Sequence, residues 1–400
     1  MQSVQADLSW TQRRFQSLIQ GASVPFVVQF ADGRQIASRD EPPRFRMVIK
    51  DPDATRRVVD EFSLADAYVN GSLELEGDLF GLFDLRHEFK DRFRLDPWLK
   101  FWSALLFLNP TRVNRNAIAF HYEYDDDFFL NFTDSRYHLY SHGLFKRDDE
   151  PLEEASERKL QTMFDSLQLK PGMRLLDIGG GWGAVSRFCA PRGVEVTHLT
   201  LAQKSYDHIN GVLHELKAPG QVLLEDFLEH RPQRPYDAIT ILGVIEHIPA
   251  YRRFAQRVWD CLKPEGRLYL DASADKMKWD VSQFIRKYIY SGTHSNMCLQ
   301  DVVRELILNG MRLLNVTEES HSYHLTMRHW AERFDECREA VIRQYGEPLY
   351  RAFRLYLWGG AHAFRADILQ AYHLVAQKGD SPGPRPGFGR RFKDFARDQF

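Results

Sequence analysis

The sequence is poor in cysteine. Its 400 residues include four cysteines, and these are scattered along the chain at Cys189, Cys261, Cys298 and Cys337. No two of them have the close spacing of a disulfide framework or of a structural zinc site. This pattern is typical of a protein from a reducing compartment, without structural metal.

Long apolar runs and strong net charge are also missing. No stretch reaches the roughly 18 consecutive apolar residues of a membrane span, and the polar N-terminus does not resemble a signal peptide. The formal net charge is only -2, which argues against a general nucleic-acid binder. We therefore expect a cytoplasmic protein that contacts the inner face of a membrane peripherally.

What the sequence does contain is a glycine-rich turn after an apolar run. Residues 175–178 predict a buried strand, and Gly179, Gly180, Gly181 and Gly183 follow it before a helical pattern begins at Ala184. Glycines at these positions allow positive φ and let a ligand approach the backbone. A strand, a glycine turn and a helix in this order form a nucleotide-binding arrangement.

The charge around this turn distinguishes two cofactors. The spacing fits a dinucleotide as well as S-adenosylmethionine, but Asp177 at the strand end repels a pyrophosphate and attracts an ammonium and a sulfonium. The next predicted strand, 194–201, ends in Thr200 and Leu201, without the acid that a dinucleotide site requires. We therefore predict S-adenosylmethionine, and a dinucleotide oxidoreductase is the weakest alternative.

Strands and helices alternate over residues 151–378. A helix at 151–167 precedes the glycine turn, and further strands are predicted at 222–224, 236–242 and 267–271, with a turn at 262–266. The pattern predicts an α/β fold with a mostly parallel sheet covered on both faces, a Rossmann-like class I methyltransferase. Asp226 follows the third strand, where its carboxylate could accept from the adenine amino group, unless it is a solvated strand-end acid.

The rest of the chain predicts four further segments. Residues 1–90 suit a small α+β domain with strands at 24–30 and 44–49, a hairpin turn at Asp32-Gly33 and a helix at 58–69. Residues 91–150 form an aromatic-rich connection, in which 97–108 is either a core helix or an interfacial one. Residues 275–330 predict an insertion that covers the acceptor site, and 330–376 a helical region. The basic tail 379–400 predicts disorder or contact with anionic lipid.

Several motifs in the same order resemble the cyclopropane-fatty-acyl-phospholipid synthase family and its mycolic-acid relatives, over roughly residues 25–378. Leu176–Gly183 is similar to the family's cofactor loop, with Gly180 in place of Cys. Ile245-Glu246-His247-Ile248 resembles the family's Phe-Glu-His-Val. The other similar segments are 71–79, 121–129, 140–145 and 360–366.

The resemblance implies methyl transfer from S-adenosylmethionine to the double bond of an unsaturated acyl chain in a phospholipid. The product is a cyclopropane or a methyl- or methylene-branched chain. Because an alkene is a weak nucleophile, the methyl group must be held in line with it and water excluded. The cation left on the chain loses a proton to a base, which in the family is bicarbonate. The aromatic rings of 121–145 and 279–323 suit cation stabilisation or ordinary core packing.

The residues and the resemblance together predict the site. The retained catalytic residues are Glu246 and Tyr323, while His142 stands in the place of the family's Cys and Asp271 in the place of its His. An added carboxylate at Asp271 disfavours a bound anion, so bicarbonate is doubtful. Our hypothesis is that His142 or the Glu246–Asp271 pair is the base; a hydrogen-bonded core histidine is the alternative for His142. The predicted cofactor-binding residues are Tyr140, Ser141, Asp177, Gly179, Gly181, Thr200, Asp226 and Gly243.

Two other functions compete. A methyltransferase acting on a non-lipid small molecule agrees with the altered anion site, but it needs neither the N-terminal domain nor the apolar segment 97–108. A non-catalytic lipid-binding protein disagrees with the retained Asp177, glycines and Glu246. The expected partners are membrane phospholipid acyl chains and no nucleic acid. A homodimer is compatible with these residues, which do not determine the oligomeric state.

Overall fold

The chain forms two compact units. The computed structural model describes residues 19, 22–51, 60–86, 126–290 and 294–381. The first unit takes its described residues from Met1–Thr133, Val281–Thr293 and Tyr323–Ile368, and the second from Asp134–Asp280, His294–Ser322 and Leu369–Phe400. These units differ from the predicted domains, because 323–368 groups with the N-terminal part of the chain.

The elements are as follows. The strands are β1 (Phe26–Gln29), β2 (Gln35–Ala37), β3 (Phe45–Ile49), β4 (Leu73–Gly77), β5 (Arg174–Ile178), β6 (Glu195–Thr200), β7 (Gly220–Leu224), β8 (Tyr236–Leu242), β9 (Leu262–Ala274), β10 (Met311–Glu318) and β11 (Gln370–Lys378). The helices are α1 (Glu61–Val69), α2 (Leu79–Asp84), α3 (Asp126–Leu130), α4 (Leu152–Ser166), α5 (Ala184–Cys189), α6 (Gln203–Leu216), α7 (Tyr251–Cys261), α8 (Leu299–Leu308), α9 (Ser320–Glu336), α10 (Arg338–Tyr345) and α11 (Glu347–Arg365).

The first unit contains a four-stranded sheet in the order β2-β1-β3-β4. The predicted hairpin at Asp32-Gly33 is confirmed, since β1 and β2 pair antiparallel and Gly33 has a φ of 82°. Asp60 caps α1 by accepting a hydrogen bond from the Ser63 backbone N–H at 2.8 Å. Arg351 on α11 ties that helix to α1 and to β4, because it donates to the carbonyl oxygens of Tyr68 and Leu73.

The second unit contains a seven-stranded sheet in the order β10-β11-β9-β8-β5-β6-β7. Strands β5 to β9 pair in parallel, and β11 runs antiparallel to both of its neighbours. The predicted mostly parallel α/β sheet is therefore confirmed. Leu176 and Ile239 face a core shared with α7 and α8, whereas Leu175 and Ala238 face a second core shared with α4 and α5.

Three predictions about the second half of the chain were wrong. Residues 299–318 are not part of an irregular insertion, because they form α8 and β10 of the sheet. Residues 370–376 are not helical, because β11 is inserted between β9 and β10. Residues 262–266 are not a separate turn: β9 already begins at Leu262, opposite Tyr236, and the pairing register then shifts before Arg267. In all three cases the structure depends on strand pairing between segments far apart in the sequence, and local sequence patterns do not reveal that pairing.

Some predictions lie outside the described residues. These are the apolar segment 97–108, the motif at 121–125 and the basic tail from 382 onward. Among the residues that are described, no helix is both long and apolar enough to cross a bilayer.

Candidate active site

The glycine turn after β5 is shaped by four glycines in the left-handed region. Gly179, Gly180, Gly181 and Gly183 have φ values of 104°, 60°, 51° and 80°. A Cβ on Gly179 would lie 2.4 Å from a methyl group of Val244, while a Cβ on Gly181 would meet nothing within 4 Å. The turn is therefore closed on the Val244 side and open at Gly181, which fits a ligand lying against the backbone.

A row of polar side chains lies on the α4/α5 face of the sheet, near the carboxyl ends of its strands. In register, Asp177 on β5 is flanked by His198 on β6 and Thr240 on β8. Asp271 on β9 is flanked by His373 on β11. The carboxyl ends of parallel strands are where open α/β sheets bind ligands, so this row places the predicted site residues at the expected edge.

Asp177 is 3% exposed and bonded within the protein. Its Oδ2 lies 2.8 Å from His198 Nδ1, and His198 Nε2 lies 2.6 Å from the Ser186 hydroxyl. Neither His198 nor Ser186 was among the predicted site residues. His198 is recognised as a neighbour of Asp177 only from the in-register pairing of β5 with β6, and that pairing is known only once the sheet is known.

The two other predicted cofactor residues in this half of the sheet have local partners. The Thr200 hydroxyl accepts a hydrogen bond from the Ala202 backbone N–H at 3.1 Å. Asp226 Oδ1 accepts from the Leu228 backbone N–H at 2.9 Å. Both residues follow strands at the predicted edge, and their contacts to the cofactor stay predictions.

Asp271 connects three predicted site segments. Its Oδ1 accepts hydrogen bonds from the Ser141 hydroxyl at 2.9 Å and from the Gly243 backbone N–H at 3.0 Å. Its Oδ2 lies 2.7 Å from the ammonium of Lys159 on α4, and both side chains are fully buried. Asp271 therefore fixes Ser141 and Gly243, next to Tyr140, while Lys159 neutralises its charge.

Lys159 was missed by the sequence analysis. It lies four residues before Met163, on the apolar face of an amphipathic helix, and is 0% exposed. A lysine on that apolar face requires a buried partner of opposite charge. Its position in the helical pattern could therefore have indicated a buried ion pair. The ion pair also removes the earlier reason to doubt bicarbonate, because Asp271 is not an uncompensated negative charge.

His142 belongs to the same buried network. Its Nε2 lies 2.7 Å from Glu319 Oε2 and 3.1 Å from Lys159 Nζ. A carboxylate only accepts, so Nε2 carries the proton and donates to Glu319. His373 Nδ1 approaches the other oxygen of Glu319 at 2.5 Å. Burial alone raises the pKa of Glu319, but the charge of Lys159 and the two histidine hydrogen bonds hold that pKa well below its usual range.

These contacts restrict what His142 and Asp271 can do. Both side chains are 0% exposed and are engaged by Glu319 and Lys159. A bicarbonate ion held by His142 Nε2 and Asp271 Oδ2 would have to displace their contacts to Glu319 and Lys159. The assignment of either residue as the base stays a prediction, and the geometry gives both a structural role.

Glu246 has a different environment. It lies in a single helical turn, Ile245–His247, directly after β8. Its Oε1 accepts hydrogen bonds from the Ser273 backbone N–H at 3.0 Å and hydroxyl at 2.9 Å. Its buried Oε2 has no hydrogen-bond partner within the described part of the chain. Burial raises the pKa of Glu246 to about 7, so near neutral pH this carboxyl can exchange a proton.

Tyr323 belongs to the first unit, whereas the other predicted catalytic residues belong to the second. Its ring stacks on Phe364 with centroids 4.2 Å apart. Phe364 is part of the 360–366 motif, so the structure brings two predicted family motifs into contact within one unit. The catalytic role of Tyr323 stays a prediction.

Comparison with known proteins identifies the family. A family model described as "Mycolic acid cyclopropane synthetase" matches residues 110–374. The chain belongs to this family. It is therefore an S-adenosylmethionine-dependent methyltransferase, and S-adenosylmethionine is its cofactor. The open glycine turn and the ionisable Asp177 beside it suit that ligand, which carries positive charge.

Individual relatives agree with the assignment. The chain is 31% identical to the "Cyclopropane-fatty-acyl-phospholipid synthase" of Escherichia coli K12 over 357 residues, which cover 84% of this chain and 89% of that protein. It is 26% identical to the "Sphingolipid C9-methyltransferase" of Komagataella phaffii over 347 residues, 81% of this chain and 71% of that one.

Solved structures show the same fold. The cyclopropane synthase MmaA2 from Mycobacterium tuberculosis is 28% identical with a TM-score of 0.61, and the match covers 66% of this chain and 98% of that one. The mycolic acid cyclopropane synthase CmaA1, complexed with SAH and CTAB, is 26% identical with a TM-score of 0.62 and the same coverages. The Rossmann-like class I methyltransferase fold is thereby confirmed.

Proposed function

We propose that this methyltransferase acts on the double bond of an unsaturated acyl chain in a membrane phospholipid. The observation that carries the proposal is Glu246, a buried carboxyl at the ligand-binding edge of the sheet, with one oxygen fixed by Ser273 and the other without a partner among the described residues. The proton released when an oxygen or an amine is methylated leaves a heteroatom and can pass directly to water. Methylation of an alkene leaves a cation that must lose a proton inside a dry site.

The proposed reaction balances as follows. The bound cofactor supplies an electrophilic methyl group, which leaves sulfur as a new carbon–carbon bond forms to the alkene. The positive charge moves to the neighbouring chain carbon. Glu246 Oε2 then takes a proton from the transferred methyl or from a neighbouring chain carbon, and the electron pair of that C–H bond neutralises the cation. Ser273 keeps the carboxylate oriented through Oε1, so the reacting oxygen needs no reorganisation.

We prefer Glu246 to the other predicted bases. His142 Nε2 is already engaged by Glu319 and Lys159 in the buried network. Asp271 is paired with Lys159 and accepts two further hydrogen bonds. These contacts occupy both of its carboxylate oxygens. Direct proton transfer to Glu246 also makes bicarbonate unnecessary.

The proposal also concerns which lipid is the acceptor and which product forms. The names of the relatives include both a fatty-acyl phospholipid and a sphingolipid as acceptor. Loss of a proton from the transferred methyl closes a cyclopropane, whereas loss from a chain carbon gives a branched unsaturated chain. We propose an enzyme that works in the cytoplasm and contacts the inner face of the membrane peripherally, because its acceptor is held in a bilayer.

Lipid mass spectrometry tests this function. Cells that express the protein are grown with methionine whose methyl group carries three deuterium atoms, and total lipids are compared with those of cells expressing Glu246→Gln. We expect phospholipid acyl chains that gain one labelled carbon in the first culture alone. Two deuterium atoms without a double bond indicate a ring, and three with a double bond retained indicate a methyl branch.

Other outcomes would overturn the proposal. Label in a sphingoid base rather than a phospholipid acyl chain would move the acceptor to the sphingolipid class. Label only in water-soluble metabolites would support the non-lipid alternative. No label at all, with S-adenosylmethionine binding intact by calorimetry, would favour the non-catalytic lipid-binding alternative.

A further inference from the structure

A chain of three buried polar side chains supports the cofactor turn from behind. Asp177, His198 and Ser186 lie on β5, β6 and α5, the three elements that surround the glycine turn. The exposed fractions are 3% for Asp177 and 0% for the other two residues. Neither His198 nor Ser186 has a part in the methyl-transfer scheme above.

The order of atoms defines the proton positions. Asp177 Oδ2 lies 2.8 Å from His198 Nδ1, and His198 Nε2 lies 2.6 Å from Ser186 Oγ. An ionised Asp177 only accepts, so Nδ1 carries a proton, and in the neutral ring Nε2 accepts from the Ser186 hydroxyl. Ser186 thereby selects the tautomer of His198 that donates to Asp177.

This arrangement has the residue types of a hydrolytic triad but not its chemistry. The Ser186 hydroxyl is fully buried in α5, where no substrate can reach it. A serine nucleophile must be accessible to its acceptor. The chain of contacts therefore serves the residue at its other end, Asp177.

Asp177 has one oxygen left for a ligand. No residue in the described ranges donates to its Oδ1, whereas Oδ2 is fixed by His198. His198 also lies close to the glycine turn itself. A Cβ placed on Gly180 would lie 2.7 Å from Ile209 and 3.5 Å from His198 Cβ. Ile209 and His198 fill the space under the turn, so His198 contacts both the turn and the Asp177 carboxylate.

We propose that His198 is a positioning residue for S-adenosylmethionine: backed by Ser186, it fixes the Asp177 carboxylate so that Oδ1 is directed to the positively charged amino-acid end of the cofactor. A fixed carboxylate binds a cation more tightly than a mobile one, because its orientation is not lost on binding. The proposal concerns cofactor affinity and does not depend on the identity of the acceptor.

The test is a double-mutant cycle on cofactor binding. His198→Leu removes the donor, and His198→Asn keeps an N–H near the position of Nδ1. Calorimetry with S-adenosylmethionine gives the dissociation constant, and thermal unfolding of the cofactor-free protein gives stability. We expect His198→Leu to weaken binding roughly 10-fold or more, since a buried polar partner is lost, and His198→Asn to bind within about threefold of the wild type.

The second arm of the cycle separates positioning from general stability. In an Asp177→Asn background, His198→Leu should change affinity less than about twofold, because the carboxylate it positions is absent. The matched control is His362→Leu, which removes a buried histidine paired with Asp84 in the first unit. It should lower the unfolding temperature without changing the dissociation constant.

Three results would overturn the proposal. The first is wild-type affinity in His198→Leu accompanied by lower thermal stability, which would make His198 structural only. The second is an equal effect of His198→Leu with and without Asp177. The third is a loss in His198→Asn as large as that in His198→Leu, which would show that the donor to Asp177 is not the relevant group.

Discussion

Glu246 and Asp271 are two buried carboxyl groups at the same strand, β9, but their hydrogen-bond and charge partners differ. Glu246 binds Ser273 and Asp271 is itself part of β9, two residues earlier on the same face. Asp271 has an ammonium and two donors around it, whereas Glu246 has donors on one oxygen only among the residues that the structure describes. Burial raises the pKa of Glu246 to about 7. Similar burial thus gives one carboxyl a structural role and leaves the other able to exchange protons.

The difference also explains the departures from the family motifs. His142 and Asp271 are predicted, from the resemblance, to stand in place of family residues, and both belong to one network with Lys159, Glu319 and His373. Two acidic groups in that network are balanced by one lysine and two histidine donors. The replacements are consistent with one another because each supplies a partner that another requires. Glu246 is retained outside that network.

The largest expected effect concerns Glu246. Glu246→Gln should lower kcat by about 100-fold to 10,000-fold, because it removes a general base. Cofactor affinity should stay close to that of the wild type. The wild-type kcat should rise with pH through about 7, since the base must be deprotonated. Methylation of mixed lipid vesicles, followed in the wild type and in Glu246→Gln at several pH values, measures the loss in kcat and the pH profile. An unchanged kcat, or a flat profile between pH 6 and 8, would contradict the assignment.

Lys159 gives the next effect. Lys159→Met leaves Asp271 as an uncompensated buried charge, which should destabilise the protein by about 3–5 kcal/mol. The double variant Lys159→Met/Asp271→Asn should recover most of that loss, because neither charge remains. Urea unfolding measures both variants. A single variant as stable as the wild type would show that Asp271 is compensated by another group.

The stability of Glu246 variants should depend on pH. The folded pKa of about 7 lies above the ordinary value of 4.5, so the stabilising contribution of the protonated form is complete below 4.5 and is lost as pH rises through 7. The difference corresponds to about 3 kcal/mol. Glu246→Gln should therefore gain stability over the wild type between pH 4 and pH 8 by roughly this amount. Unfolding by urea at several pH values measures it.

Glu319 supplies the control of opposite sign. Its folded pKa is lowered, chiefly because Lys159 and two histidine donors outweigh the effect of burial. Its contribution to stability is present above the ordinary pKa of 4.5 and is lost as pH falls. Glu319→Gln should therefore be less stable than the wild type at pH 7. Equal pH dependence in the two Gln variants would contradict the comparison of the networks.

Ser273 should give the smallest effect. Ser273→Ala removes the hydroxyl donor at 2.9 Å and leaves the backbone donor to Glu246 in place. A hydrogen bond to a charged group contributes roughly 1.5 kcal/mol, so the acid limb of the kcat profile should move up by about one pH unit. At pH above the limb, the variant should recover nearly wild-type turnover. A loss that persists at high pH would give Ser273 another role.

The local predictions succeeded where the chain itself carries the signal. The glycine turn, strand β8 and helix α4 have patterns that depend on short segments, and each is found where expected. The predictions failed for β10 and β11, because edge and inserted strands depend on partners far along the chain. They also missed Lys159, His198 and Glu319, whose partners lie on other elements.

The sequence by itself determined the cofactor turn and the mostly parallel sheet, and it predicted Glu246 as a site residue. Spacing and residue type were enough, since backbone freedom and apolar periodicity are local properties. Only the tertiary structure decided which partner each buried charge has. Whether Asp271 meets an ammonium, Asp177 a histidine and Glu246 the Ser273 donors depends on which strands are neighbours, because these partners lie on other elements.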